Sequence, residues 1–133
     1  MLFRSLLGTL ATRADVTLAL LTGNWRRGAE IKLSRFDLNR FFGFGAFGCD
    51  GIERDELPPV ALARAEEAVG RRFAPDEALI IGDSVHDVTC GRAHGIPVLA
   101  VATGRTPAAA LGAAGADWVI PDLTAASTAV PWL

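Results

Sequence analysis

Apolar positions along this chain follow two rhythms. Leu2, Leu6, Leu7 and Leu10 fall at helical spacing, which predicts a helix over 2–12. Val16 to Leu21 is instead an apolar run, the pattern of a strand buried on both faces. A helix is expected over 25–35. Residues 36–50 are rich in phenylalanine and glycine and show no clean period, with a short strand expected at 45–48. Pro58-Pro59 opens a helix over 60–69, because proline is tolerated in a first helical turn, and Gly70 is placed to end it.

The second half repeats one alternation. Residues 78–82 read as a buried strand and 85–94 as a helix closed by Gly95. A strand follows over 97–102, then a helix from Thr106-Pro107, with the threonine as cap and the proline just inside, running to Gly115. A last short strand covers 117–120. Strands alternating with helices, each strand nearly all apolar, predict an α/β fold: a doubly wound parallel sheet with helices on both faces. At 133 residues, half of them hydrophobic, the chain is expected to form a single domain over 1–133.

Composition removes several function classes. A formal net charge of −2 leaves no basic footprint for nucleic acid. No apolar run approaches the ~20 residues a membrane-spanning helix needs. Cys49 and Cys90 are far apart in sequence and form neither a disulfide framework nor a metal-like pair, so a cytoplasmic location is expected. Lys32 is the only lysine.

In open α/β sheets ligands sit beyond the carboxyl ends of the strands. Two such ends carry polar residues. Thr22-Gly23-Asn24 offers a hydroxyl, an unobstructed backbone N–H and an amide at a helix start, a set able to hold phosphate oxygens. Taken alone it is better explained by a tight turn at Gly23 and an N-cap at Asn24. Asp83 and Asp87 are four residues apart at a strand-to-helix junction, which puts both carboxylates on one face. Two hard oxygen ligands with waters and a phosphate suit octahedral Mg²⁺. Ser84 with Asp87 also reads as a capping box variant, and Asp83 as a cap.

Taken together, Leu20-Leu21-Thr22-Gly23-Asn24 and Ile80-Ile81-Gly82-Asp83-Ser84-Val85-His86-Asp87 resemble the second and fourth motifs of the haloacid dehalogenase superfamily, in its phosphoglycolate-phosphatase-like branch. The stretches 93–104 and 113–123 are similar to the family's usual continuation, so the resemblance spans about residues 5–123. It implies that Thr22 hydrogen-bonds a transferring phosphoryl group, with Gly23 and Asn24 close by. It also implies that Asp83 is the principal Mg²⁺ ligand, with Asp87 in or beside the metal shell. The family's third motif is a lysine or arginine that neutralises the phosphate. Lys32 falls inside the helix after the first strand, and the motif's usual place is taken by Glu56. Arg54, two residues earlier, is the candidate in a shifted loop; a solvated loop arginine is the competing reading.

The family's first motif, Asp-x-Asp-Gly-Thr, supplies the nucleophile and the general acid/base. Only 21 residues precede Thr22, and Asp15 is the only acid among them. The expectation is therefore a core domain without its nucleophile segment, inactive alone. In its complete form it would be a Mg²⁺-dependent phosphatase that acts on a small phosphorylated metabolite through an aspartyl-phosphate. A non-catalytic relic that binds a partner, metal or phosphate is the alternative. A phosphoacceptor signalling domain fits less well, because Lys32 is poorly placed for one. In the family the absent strand lies between those carrying Thr22 and Asp83, so exposed strand edges and self-association are expected.

Overall fold

The computed structural model describes residues 2–51 and 53–133, and of Leu2 only the backbone. These residues gather into two compact units, built mainly from Phe3–Phe73 and from Ala74–Leu133.

The first unit contains α1 (Leu2–Ala11), β1 (Leu20–Leu21), α2 (Arg26–Ser34), β2 (Gly45–Ala46) and α3 (Leu57–Val69). In α1 the helical spacing does what it predicts, burying Leu7 and Leu10. β1 and β2 pair in parallel, Leu20 opposite Gly45 and Leu21 opposite Ala46. The flanking bonds run from Leu20 N–H to the Phe44 carbonyl (3.2 Å) and from Thr22 N–H to the Ala46 carbonyl (3.1 Å). The expected strand over 16–21 is thus a two-residue ladder, and it is not buried on both faces. Thr17 and Ala19 are exposed while Val16, Leu18 and Leu20 are half-buried. The ladder is short because β2 offers only two residues to pair with, and the faces are not both buried because α3 is the main helix packed on this sheet. Packing of α3 against β1 and β2 covers this small sheet. The α3 helix starts at Leu57 with its prolines in the first turn and ends at Gly70, whose φ of 79° is the left-handed cap that glycine adopts without a side-chain clash.

In the second unit β3 (Ile80–Gly82), α4 (Val85–Ala93), β4 (Val98–Val101), α5 (Ala108–Ala114), β5 (Trp118–Ile120) and α6 (Ala126–Ala129) follow in turn. The sheet order is β3-β4-β5, all parallel. Every residue of β4 is buried, and the period of two sends them to opposite faces. Val98 and Ala100 join Val88 of α4 and Leu111 of α5 in one cluster. Leu99 and Val101 join Ile120, Ala126 and Val130 in another. This is a parallel strand covered on both sides, as the apolar run predicted.

The fold class is therefore α/β with parallel strands, arranged as two sheets of two and three strands. One helix start differs from expectation. Thr106 does not cap α5; Pro107 occupies the cap position with extended ψ of 152° and no side-chain cap bond. Its carbonyl accepts from the N–H groups of Ala110 and Leu111 instead. Among the described residues no helix is long and apolar enough to cross a membrane.

Candidate functional site

In the first unit the polar residues lie where parallel strands deliver them, just past the carboxyl end of β1. The Thr22 hydroxyl oxygen accepts two hydrogen bonds, from the backbone N–H of Asn24 (3.1 Å) and from the Asn24 side-chain amide (3.1 Å). Asn24 is not the N-cap of α2. That position belongs to Trp25, which makes no side-chain cap bond. Asn24 instead folds back over Thr22, and its Oδ1 accepts from Lys32 Nζ at 3.1 Å.

Two further features shape this turn. Gly48 N–H donates to the Asn24 carbonyl at 2.8 Å, and a Cβ on Gly48 would collide with the Gly23 carbonyl. The chain leaving β2 therefore lies flat against the Gly23-Asn24 backbone, an approach only glycine allows. The Arg54 guanidinium also lies against Gly23, its Nη1 3.1 Å from where a Cβ would stand. Thr22, Gly23, Asn24 and Arg54 are thus brought together, and Lys32 with them. Lys32 is the residue that sequence reasoning placed out of reach. It does sit in the helix, but its side chain spans back to the loop. The available signal was a donor-only side chain eight residues after an asparagine, in the last turn of the helix that follows it.

Asp50, just past β2, does structural work nearby. Its carboxylate forms a two-pronged pair with Arg64 (2.7 and 2.8 Å) and accepts from Phe47 N–H at 2.9 Å. Arg64 also donates to the Gly45 carbonyl at 2.7 Å, so one guanidinium ties α3 to β2 and the turn after it. The Arg64 hydrogen bonds, with the Phe47 N–H next, hold the Asp50 carboxyl down at about 2. A cavity of about 430 Å³ lies beside β1 and α2, lined by Leu20, Arg26, Ile31, Phe42, Phe44 and Phe47 among others. It does not include the Thr22 turn.

The second unit carries the acidic end of β3. Here the two carboxylates have different surroundings. Asp87 is buried at 7% exposure, and its Oδ2 accepts from the N–H groups of Asp83 and Ser84 (both 3.1 Å) and from the Ser84 hydroxyl (2.9 Å). Ser84 Oγ in turn accepts from Asp87 N–H at 3.3 Å, which completes a capping box. The carboxylate packs directly on Gly82, where a Cβ would overlap it. Asp83 is exposed, and its Oδ2 lies 2.7 Å from where Gly104 would carry a Cβ. The loop after β4 is therefore part of this site, with Gly104 leaving the room that Asp83 occupies. Of the two acids, Asp83 is the one open to an incoming ion, and Asp87 holds the peptide that presents it. Among the described residues no cluster of three or more His, Cys, Asp or Glu side chains forms.

Residues 57–126 match the family model described as HAD-hydrolase-like. No curated protein matches the sequence. Solved structures do match. One is a candidate β-phosphoglucomutase from Thermotoga maritima, 22% identical, with a TM-score of 0.80 over 98% of this chain and 58% of that one. A haloacid dehalogenase-like family hydrolase from Streptococcus pneumoniae is 21% identical, with a TM-score of 0.77 over 94% and 56% of the two chains. A candidate phosphoglycolate phosphatase from Haemophilus somnus is 20% identical, with a TM-score of 0.75 over 94% and 54%. At these identities the likeness establishes the fold. The chain spans a little over half the length of these relatives.

Proposed function

The chain belongs to the HAD-hydrolase-like family, and from that premise we propose that it is part of a cytoplasmic, Mg²⁺-dependent phosphatase acting on a small phosphorylated metabolite. The observation that carries the reading is the turn after β1. A threonine hydroxyl, the backbone N–H of Gly23 and the Arg54 guanidinium come together there. A hydroxyl, peptide donors and a planar cation are the groups that bind phosphate oxygens best. Thr22, Gly23 and Asn24 bind the phosphoryl group in this reading, and Arg54 neutralises it. Mg²⁺, when bound, would supply the positive charge that phosphoryl chemistry needs. Asp83 would hold it, and Asp87 would orient Asp83 through the peptide N–H. These hard, anionic oxygen donors fit the ion.

Such a phosphatase forms an aspartyl-phosphate on a carboxylate nucleophile. No Asp-x-Asp pair precedes Thr22 in the sequence, so this polypeptide alone is expected to bind phosphate without turning over phosphomonoesters. Turnover assays with Mg²⁺ and a panel of small phosphate esters check the second half. Robust turnover lost on Asp83→Asn would show that another residue serves as nucleophile and would overturn the assignment of roles. β1 and β3 each lie at the end of their own sheet's order, and open strand edges recruit other chains. Self-association follows, to be read by sedimentation velocity across a concentration series; a monomer at every concentration contradicts it.

A further inference from the structure

Thr22 is useful to a phosphate only if its hydroxyl hydrogen points toward the ligand, and a threonine hydroxyl rotates freely unless something fixes it. We propose that Lys32 fixes it, acting through Asn24 as a positioning residue, so that the Thr22 hydroxyl is held as an outward donor to a phosphoryl oxygen. The inference rests on the phosphate reading of this turn and adds a residue and a polarity to it.

Donors and acceptors at this turn leave one arrangement of the hydrogens. A lysine ammonium only donates, so the end of the Asn24 amide that it meets at 3.1 Å must be the carbonyl oxygen. The NH₂ end then necessarily faces Thr22 Oγ1, again at 3.1 Å. The Asn24 backbone N–H also donates to that oxygen. Two donors use both acceptor lone pairs of the hydroxyl, and its own hydrogen has to leave in the remaining direction. The chain of bonds thus has one polarity, from Lys32 to Asn24 to Thr22 and outward.

Remove the ammonium and the constraint is lost. The amide is free to turn over, its oxygen meets the hydroxyl, and the hydroxyl donates inward to Asn24 rather than to a ligand. A charged donor at the head of a hydrogen-bond chain also polarises the bonds after it. The same ammonium adds positive charge beside a turn that already has the Arg54 guanidinium against Gly23.

The test uses the 133-residue chain and inorganic phosphate as the probe, followed by amide NMR. In the wild type, phosphate is expected to shift the backbone signals of Thr22, Gly23 and Asn24, and the two Asn24 side-chain amide protons should be well separated, one of them being bonded to Thr22. Lys32→Met is expected to narrow the separation of those two signals toward that of a solvated asparagine and weaken phosphate binding roughly three- to fivefold, the scale of an exposed charged contact. Lys32→Arg should restore both. Arg27→Gln removes a cation from the same helix that is 83% exposed, and should leave the Asn24 signals unchanged. The decisive comparison is Lys32→Met in a Thr22→Val background, where the relay predicts little further loss. An equal loss in both backgrounds would mean that Lys32 acts as plain charge, and would overturn the relay. Unchanged Asn24 signals in Lys32→Met would overturn it too. A wild-type chain whose Thr22 turn ignores phosphate would instead overturn the phosphate reading, whatever the Asn24 signals do.

Discussion

The two units keep their parallel strands in place by different means. In the second, β4 is buried along its whole length and divides its side chains between two apolar clusters. In the first, the sheet is two residues deep, β1 is only half-buried, and Trp25, Ile31 and Phe36 stay exposed. What organises β2 and the turns beyond it is polar and steric: the Asp50–Arg64 pair and the close approach of Gly48 to Gly23. Apolar burial is non-directional and tolerates local error, whereas a hydrogen-bonded pair and a glycine contact define positions closely. The unit with less core is thus the one in which individual polar contacts matter most.

The largest expected effect tests the core of the second unit. Leu99→Ala should destabilise by about 3 kcal/mol, since it opens a cavity at a fully buried site. Leu20→Ala, at half-buried β1, should cost about 1 kcal/mol because part of that side chain already faces water. Urea unfolding followed by tryptophan fluorescence measures both, and equal losses would erase the contrast between the units.

Next in size is the polar tie of the first unit. Asp50→Asn should cost about 1 kcal/mol, because it removes the charge from a pair that is only partly sheltered. The sign of the pH effect follows from the lowered carboxyl. Its contribution is fully present above the ordinary value of 3.8 and is lost as pH falls toward about 2. Wild-type stability should therefore decline across that window more steeply than that of Asp50→Asn. Parallel curves would show that the pair is not what holds α3 to β2.

The smallest effect separates two helix starts in the second unit. Ser84→Ala should cost about 1 kcal/mol, because Ser84 Oγ caps α4. Thr106→Ala should stay within about 0.5 kcal/mol, since Thr106 caps nothing. Thermal melts of the two variants decide it, and a larger loss at Thr106 would restore it as a cap.

Much of this was legible in the residues because it depends on neighbours along the chain. Helical spacing in Leu2–Leu10, proline at the head of α3, glycine after α3, α4 and α5, and apolar runs at β3 and β4 are local signals with local causes. The Thr22 turn and the Asp83–Asp87 step were visible for the same reason, as polar residues where an apolar run stops. Tertiary structure alone decided the rest. Whether an apolar run becomes a doubly covered strand depends on what packs on its two faces, and β1 has α3 as its main cover and only Gly45–Ala46 to pair with. Which of two nearby carboxylates stays open depends on the donors that surround it, and Ser84 with its backbone claimed Asp87. Lys32 reaches the Thr22 turn, and Gly104 makes room for Asp83, because chain folding brings together groups that sequence distance keeps apart. Periodicity reports which face of an element is apolar; it carries no information about what is set against the polar one.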